Sequence, residues 1–157
     1  MRVRITNSIF DRTSLLMSSS DEAPDKSEHY VSFSTFLFDD QAQVQSCSNP
    51  NSYPRIALFE NNIFFASSPQ MQSVISGFSC TLTGNITYPQ NPPVGGTNID
   101  QDPRFVDVQG RDYRLQPGSP AVDAAVSSSG PGLDHDFAGT PRPQGGRKDI
   151  GAFELRQ

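Results

Sequence analysis

The sequence predicts an all-β fold, a parallel β-helix of about four coils with a loop-rich C-terminal cap. Three observations predict it. A strand-like segment recurs every 23–28 residues, the best helix formers are sparse, and glycine and proline concentrate after the last recurrence.

The recurrence carries most of the argument. Four segments align without gaps: VRITNSIF at 3–10, VSFSTFLF at 31–38, ALFENNIF at 57–64 and CTLTGNIT at 80–87. Their starts are separated by 28, 26 and 23 residues. One parity reads Val3, Ile5, Asn7, Ile9; Val31, Phe33, Thr35, Leu37; Ala57, Phe59, Asn61, Ile63; Cys80, Leu82, Gly84, Ile86. Its first, second and fourth columns are apolar or small, which suits an inward face. The other parity is mainly polar, with Phe36 and Leu58 as exceptions. Like residues in like columns are what stacked coils need, because no coil buries its inward face alone. Strands of a β-sandwich recur at about 8–12 residues and have no reason to keep column identity.

Finer expectations follow from the same alignment. Asn7 and Asn61 share a column and should bond along the axis as a partial amide ladder, interrupted at Thr35 and Gly84. Phe10, Phe38 and Phe64 share the next column, where a corner should turn the aromatic rings inwards. The remaining strand of each coil is expected around Leu15-Leu16-Met17, Val44 and Met71 to Ile75. Segments 18–29 and 46–54 should project as loops. Thr87 ends the stack, so residues 1–90 are expected to form the coils and 91–157 the cap of one structural domain.

Composition narrows the class. The chain has 157 residues, enough for one domain with a real core. It is 34% hydrophobic and lacks Trp, but 11 Phe supply bulky core material. The net charge is −5, without a Lys/Arg run, so a nucleic-acid partner is not expected. No stretch approaches the length of a transmembrane helix, so this segment is not expected to insert into a membrane. No secretory signal is visible. Met1-Arg2-Val3-Arg4-Ile5 reads as the interior of a strand, so we expect a fragment or a late translation start, with upstream coils as its structural neighbours.

Ten of the 12 Gly and eight of the 13 Pro lie in 91–157. This tail contains DPRFVD (102–107), DYRLQPGSPAVDAA (112–125) and DHDFAGTPRPQGGRKDIGAFE (134–154). The ordered set resembles the C-terminal region of bacterial right-handed parallel β-helix proteins with a choice-of-anchor Q domain. Two departures stand out: Ala124-Ala125 replaces the usual nearby Gly, and Leu155-Arg156-Gln157 stands where family members commonly continue into an anchoring segment, so C-terminal anchoring is not expected. The resemblance implies a right-handed β-helix at the cell surface or outside the cell. On physical grounds, Pro103, Pro117, Pro120, Pro141 and Pro143 restrict a loop-rich cap. Phe105, Val106, Leu115, Val122, Ile150 and Phe153 are expected to cover the last coil. Asp102, Asp123 and Asp149 should accept bonds from turn amides, and Arg142 should pair with one of them.

Candidate chemistry is sparse. Asp134-His135-Asp136 places two carboxylates and an imidazole in one turn, a possible Ca²⁺ site through Asp134 and Asp136, against a purely structural turn. No other cofactor is expected. A lyase reading would cast Asp39-Asp40 as metal ligands and Arg55 as the base, but adjacent acids at a strand end also describe a solvated corner. No Ser-His-Asp or Cys-His arrangement is recognisable. Cys80 reads as a small core residue and Cys47 as a loop residue, so a disulfide between them is not expected. Asn85-Ile86-Thr87 matches a glycosylation sequon that we take as incidental. The preferred function is a structural, adhesive or glycan-binding scaffold without catalysis in this segment, its partner a polysaccharide or cell-surface glycan. The alternative is the C-terminal part of a pectate-lyase-like polysaccharide lyase or hydrolase.

Overall fold

A computed structural model describes residues 2–16, 28–39, 44–47, 56–66, 75–77, 80–89, 97–126 and 133–157. These residues form thirteen strands and no helix. None of them forms a helix long and apolar enough to cross a membrane.

The strands come in sets. The first repeat gives β1 (Arg2–Thr6), β2 (Ile9–Asp11) and β3 (Leu15–Leu16). The second gives β4 (Glu28–Ser32), β5 (Thr35–Phe38) and β6 (Val44–Cys47). The third gives β7 (Ile56–Glu60), β8 (Ile63–Ala66) and β9 (Ile75–Gly77). The fourth gives β10 (Cys80–Thr83) and β11 (Ile86–Tyr88). Like strands pair in parallel into three sheets, ordered β1-β4-β7-β10, β2-β5-β8-β11 and β3-β6-β9. The all-β, parallel organisation is therefore as the recurrence predicts. Glu28 and His29 open β4, and Ser46 and Cys47 close β6, so these residues, expected in loops, lie in strands. Segments 18–27, 48–54 and 71–74 lie outside the described residues.

The register of the second repeat differs from the gapless alignment. Val3 pairs with His29, and His29 with Ala57, which in turn pairs with Cys80. The aligned segment is thus HYVSFSTF at 29–36, two residues earlier than expected. Side chains alternate with a period of two, so a two-residue slip keeps every apolar side chain on its own face. Hydrophobic pattern alone cannot tell these registers apart.

The true register brings one backbone feature into a single column. Asn7, Phe33, Asn61 and Gly84 all adopt positive φ, at 47°, 50°, 57° and 65°. These residues turn the chain between the first and second sheets. Asn and Gly enter this region readily, whereas Phe33 does so against its own preference. Gly84 has a second reason to lack a side chain: a Cβ there would lie 2.6 Å from Val126 Cγ2.

A polar ladder does exist, but one residue further along than expected. It runs through Ser8, Ser34, Asn62, Asn85 and Asn98. The Ser34 amide donates to Asn62 Oδ1 (3.0 Å), the Asn62 amide to Asn85 Oδ1 (2.9 Å), and the Asn85 amide to Asn98 Oδ1 (3.0 Å). Each Asn side chain also donates to a carbonyl of the preceding repeat: Asn62 to Val31, Asn85 to Phe59 and Asn98 to Leu82. The ladder continues past Tyr88, because Ile99 forms a parallel bridge with Ile86. Asn85 is completely buried, so the sequon is closed within the fold. Asn85→Ala would leave the Asn62 amide and the Phe59 carbonyl buried without these partners. We expect a loss of about 2–4 kcal/mol, measured by urea unfolding.

Two apolar layers flank the second sheet. Inside, Phe10, Phe36 and Phe64 stack with centroids 4.5 and 4.9 Å apart. Phe36, expected to face outwards, is instead 0% exposed in this core, and it replaces Phe38 in the aromatic column. Val31, Phe38, Ala57, Phe59 and Ala66 complete the layer, with Phe38 turned inwards as expected. Outside, Phe33, Leu37, Ile63 and Ile86 join Phe105, Tyr113, Leu115 and Ile150 of the tail in a second core. A sheet covered on both faces loses simple alternation, which explains apolar neighbours such as Ile9-Phe10 and Ile63-Phe64-Phe65.

The tail thus lies along the side of the repeats rather than only over the last one. Its own strands, β12 (Phe105–Asp107) and β13 (Asp112–Leu115), pair antiparallel. Asn7 of the first repeat donates to the His135 carbonyl, and Asp11 faces Arg111 at 3.3 Å. In the second repeat Thr35 Oγ1 accepts from the Ala152 amide at 3.0 Å. In the third, the Asn61 carbonyl accepts from the Gly151 amide, and the Asn61 side chain brackets Val126 with two bonds. Gly151 adopts φ +95°, and a Cβ there would meet Ile63 Cδ1 at 2.6 Å. Val106 is the exception among the expected covering residues, being 45% exposed.

Candidate functional site

The tail buries an ionic cluster. Arg142 and Glu154 have side chains 0% and 1% exposed, with Arg142 Nη1 3.3 Å from Glu154 Oε2. Arg142 sits on the segment TPRP, where flanking prolines fix the chain, and its guanidinium lies 5.1 Å from the Phe33 ring centroid. Nη1 donates to the Asp149 carbonyl (2.9 Å) and Nη2 to the Gly151 carbonyl (2.8 Å). Arg142 therefore pairs with Glu154, and meets Asp149 through its backbone oxygen rather than through the expected carboxylate.

The buried acids around it are bound to backbone. Asp136 Oδ1 accepts from the Ala138 and Thr140 amides, and Oδ2 from the Glu154 amide. Asp149 accepts from the Asp123 and Leu155 amides, and Glu154 from the Gln144 and Asp149 amides. Asp123 Oδ1 accepts from the Arg147 amide, and Asp102 Oδ1 from the Arg104 amide. The Asp102 contact and the two on Asp136 Oδ1 are local turn contacts of the kind the sequence suggests. The bonds Asp136–Glu154, Asp149–Asp123, Glu154–Gln144 and Asp123–Arg147 join residues 10 to 26 apart, which no local motif reveals.

Burial pushes the Asp149 carboxyl up to about 6, outweighing the two amide donors that favour its charge. The sign of the consequence is fixed. Between its ordinary 3.8 and about 6, Asp149 binds its proton more tightly folded than unfolded. Its contribution to stability is thus present below pH 4 and is lost as pH rises to 6, by at most roughly 3 kcal/mol. His29 acts oppositely. Burial lowers its pKa, so stability is lost as pH falls below its ordinary 6.5. In a His29→Gln background, the urea midpoint should rise between pH 7 and pH 5. Adding Asp149→Asn should remove that rise.

Of the proposed metal residues, Asp134 and His135 are exposed, while Asp136 is buried with three amide donors. Among the described residues no group of three or more His, Cys, Asp or Glu is arranged to hold a metal. Asp39 lines a 240 Å³ depression with Asp11, Arg12 and Tyr113. Burial raises the Tyr113 pKa, and its hydrogen bond to Asp11 adds to the shift. Asp40 and Arg55 lie outside the described residues, as do the side chains of Cys47 and Cys80.

One surface feature has no local signal in the sequence. A groove of about 390 Å³ runs between β12, β13 and the C-terminal segment, lined by Val106, Arg114, Thr140, Phe153 and Arg156 among others. Val106 and Phe137 are the exposed large hydrophobics among the described residues, at 45% and 54%. Val106 lines the groove, and Phe137 packs edge-on against Phe153, which also lines it, with centroids 5.6 Å apart. Arg114 at its rim is paired with Asp112. The lining sets Val106 and Phe153 beside Arg114, Arg156, Thr140, Asp136 and Glu154. No family model matches the sequence, and comparison with curated proteins finds no match.

Proposed function

We propose that the chain belongs to an extracellular or cell-surface right-handed parallel β-helix protein and serves there as a rigid scaffold that contacts glycan, without catalysis in this segment. The parallel sheets in register and the ordered tail motifs support this reading. Crossovers between parallel strands of one sheet are right-handed in about 98% of cases, which supports the hand. The observation that carries the scaffold role is the engagement of the buried acids. Asp136, Asp149 and Glu154 together accept seven backbone N–H bonds, so these carboxylates hold loops in place. Glycan contact is assigned to the groove, where Phe153 and Val106 suit the apolar face of a sugar ring and Arg156 its polar edge.

Affinity electrophoresis in gels containing neutral or acidic polysaccharide tests both halves. At least one polysaccharide should retard the protein without release of reducing ends or unsaturated product. A Val106→Ser, Phe137→Ser variant should migrate freely while melting as the parent does. Polysaccharide cleavage would favour the lyase or hydrolase alternative, and absence of retardation in all gels would remove the glycan role.

A further inference from the structure

The first repeat presents an unfinished surface. Its strands β1, β2 and β3 each stand at the end of their sheet, all on the same side of the stack. Such an edge exposes backbone donors and acceptors to pairing. Its apolar residues are also less covered than their column mates. Val3, Ile5, Phe10 and Leu15 are only partly buried, whereas Val31, Phe36, Ala57, Phe59 and Phe64 are 3% exposed or less. Phe10 has Phe36 stacked at 4.5 Å on one face, while Phe36 is stacked on both.

The polar ladder gives this surface a direction. From the second repeat on, the ladder side chain accepts an amide from the repeat before it. Ser34 Oγ shows the arrangement for serine: it donates to the Ser32 carbonyl (3.1 Å) and accepts from the Ser8 amide (3.3 Å). Ser8 Oγ repeats the first half, donating to the Thr6 carbonyl at 2.9 Å. Its lone pairs are thereby set to accept one amide from a rung placed before it. The carbonyl series follows the same rule. The Thr35, Ile63, Ile86 and Ile99 amides donate to the Ser8, Ser34, Asn62 and Asn85 carbonyls. By that periodicity the Ile9 amide points away from the second repeat, toward the open side of the stack.

We propose that the first-repeat face is a docking surface for one further parallel β-rung of polypeptide. The occupant carries a residue other than proline at its ladder position, to supply the amide for Ser8 Oγ, and an apolar or aromatic residue next to it, to cover Phe10. A second copy of the chain is a poorer occupant. At its far end the second sheet is already bridged by Ile99, whose carbonyl accepts from the Thr87 amide at 3.0 Å. The inference rests on the β-helix reading above, but it concerns one face only.

The test duplicates residues 28–55 directly before Arg2, so that Arg2 follows the segment as Ile56 does in the parent chain. Hydrogen exchange is read at the Thr6 and Ile9 amides, whose column mates face the preceding repeat. The duplicated rung should slow both by about tenfold or more, and Ser34→Pro within the added copy should restore the parent rates. Unchanged rates at Thr6 and Ile9 in a folded duplication would overturn the proposal. Should the duplication fail to fold, a synthetic peptide of residues 28–39 is added to the parent chain, and it must protect the same amides or the proposal falls. Sedimentation velocity of the parent covers the remaining occupant. Self-association that protects residues 3–11 would assign the face to a second copy and overturn the rung. Exchange at Val31, Phe59 and Ile63 in the parent reports on the β-helix reading separately, since those amides should be protected whether or not the first-repeat face takes a partner.

Discussion

Deleting residues 102–157 is expected to leave a chain that aggregates or fails to fold. The deletion uncovers the outer face of the second sheet, where Phe33, Leu37, Ile63 and Ile86 are now 4% exposed or less. Exposing four such side chains costs roughly 6–12 kcal/mol at 1.5–3 kcal/mol each. That is comparable to the whole stability of a typical domain, about 5–15 kcal/mol. Polar contacts are lost as well, including the Gly151 amide on the Asn61 carbonyl and the Val126 bonds to the Asn61 side chain. The stripped face would be a flat apolar sheet prone to pair with other copies. A soluble 1–101 fragment with a cooperative thermal transition would contradict this account.

Arg142→Ala should be the most damaging single substitution in the tail. It removes two bonds to the Asp149 and Gly151 carbonyls and leaves Glu154 buried without its cation. Breaking a buried pair from one side typically costs about 3–5 kcal/mol, because the surviving charge keeps its desolvation penalty. Arg142→Ala combined with Glu154→Gln should recover part of that loss by removing the stranded charge. Urea unfolding of the parent, the two single variants and the double variant measures the coupling. A change below about 1 kcal/mol in Arg142→Ala would mean that the pair behaves as an exposed one, against its burial.

Much of the fold is legible in the sequence because it rests on periodicity. The strands of the first, third and fourth repeats align as their apolar columns predict, and the third-sheet strands begin near Leu15, Val44 and Ile75. The second repeat defeats this logic. Its alternation fits two registers, and the positive-φ position that would decide between them holds Phe33 instead of Asn or Gly. The ladder is hidden in the sequence for a related reason. Asn7 and Asn61 catch the eye, but they turn the chain, while Ser8, Ser34, Asn62 and Asn85 form the bonds. A usable signal for the lateral tail was present in the apolar neighbours of the second sheet, since a strand apolar on both parities needs cover on both sides. The buried Arg142–Glu154 pair left no such trace. Charged residues in a turn-rich tail ordinarily face water, and only the tertiary structure closes over this pair. The groove is likewise assembled from segments remote in sequence, so no local pattern marks it.

The central claim is that the tail and all four repeats form one cooperative unit through the side of the second sheet. Native-state hydrogen exchange in rising denaturant tests it directly. The amides of Ile150, Gly151 and Ala152 should open with the same free energy, and the same denaturant dependence, as those of Thr35, Ile63 and Ile86. Exchange of the tail amides at a lower free energy, with the repeat amides still protected, would show an appendage that the repeats do not need.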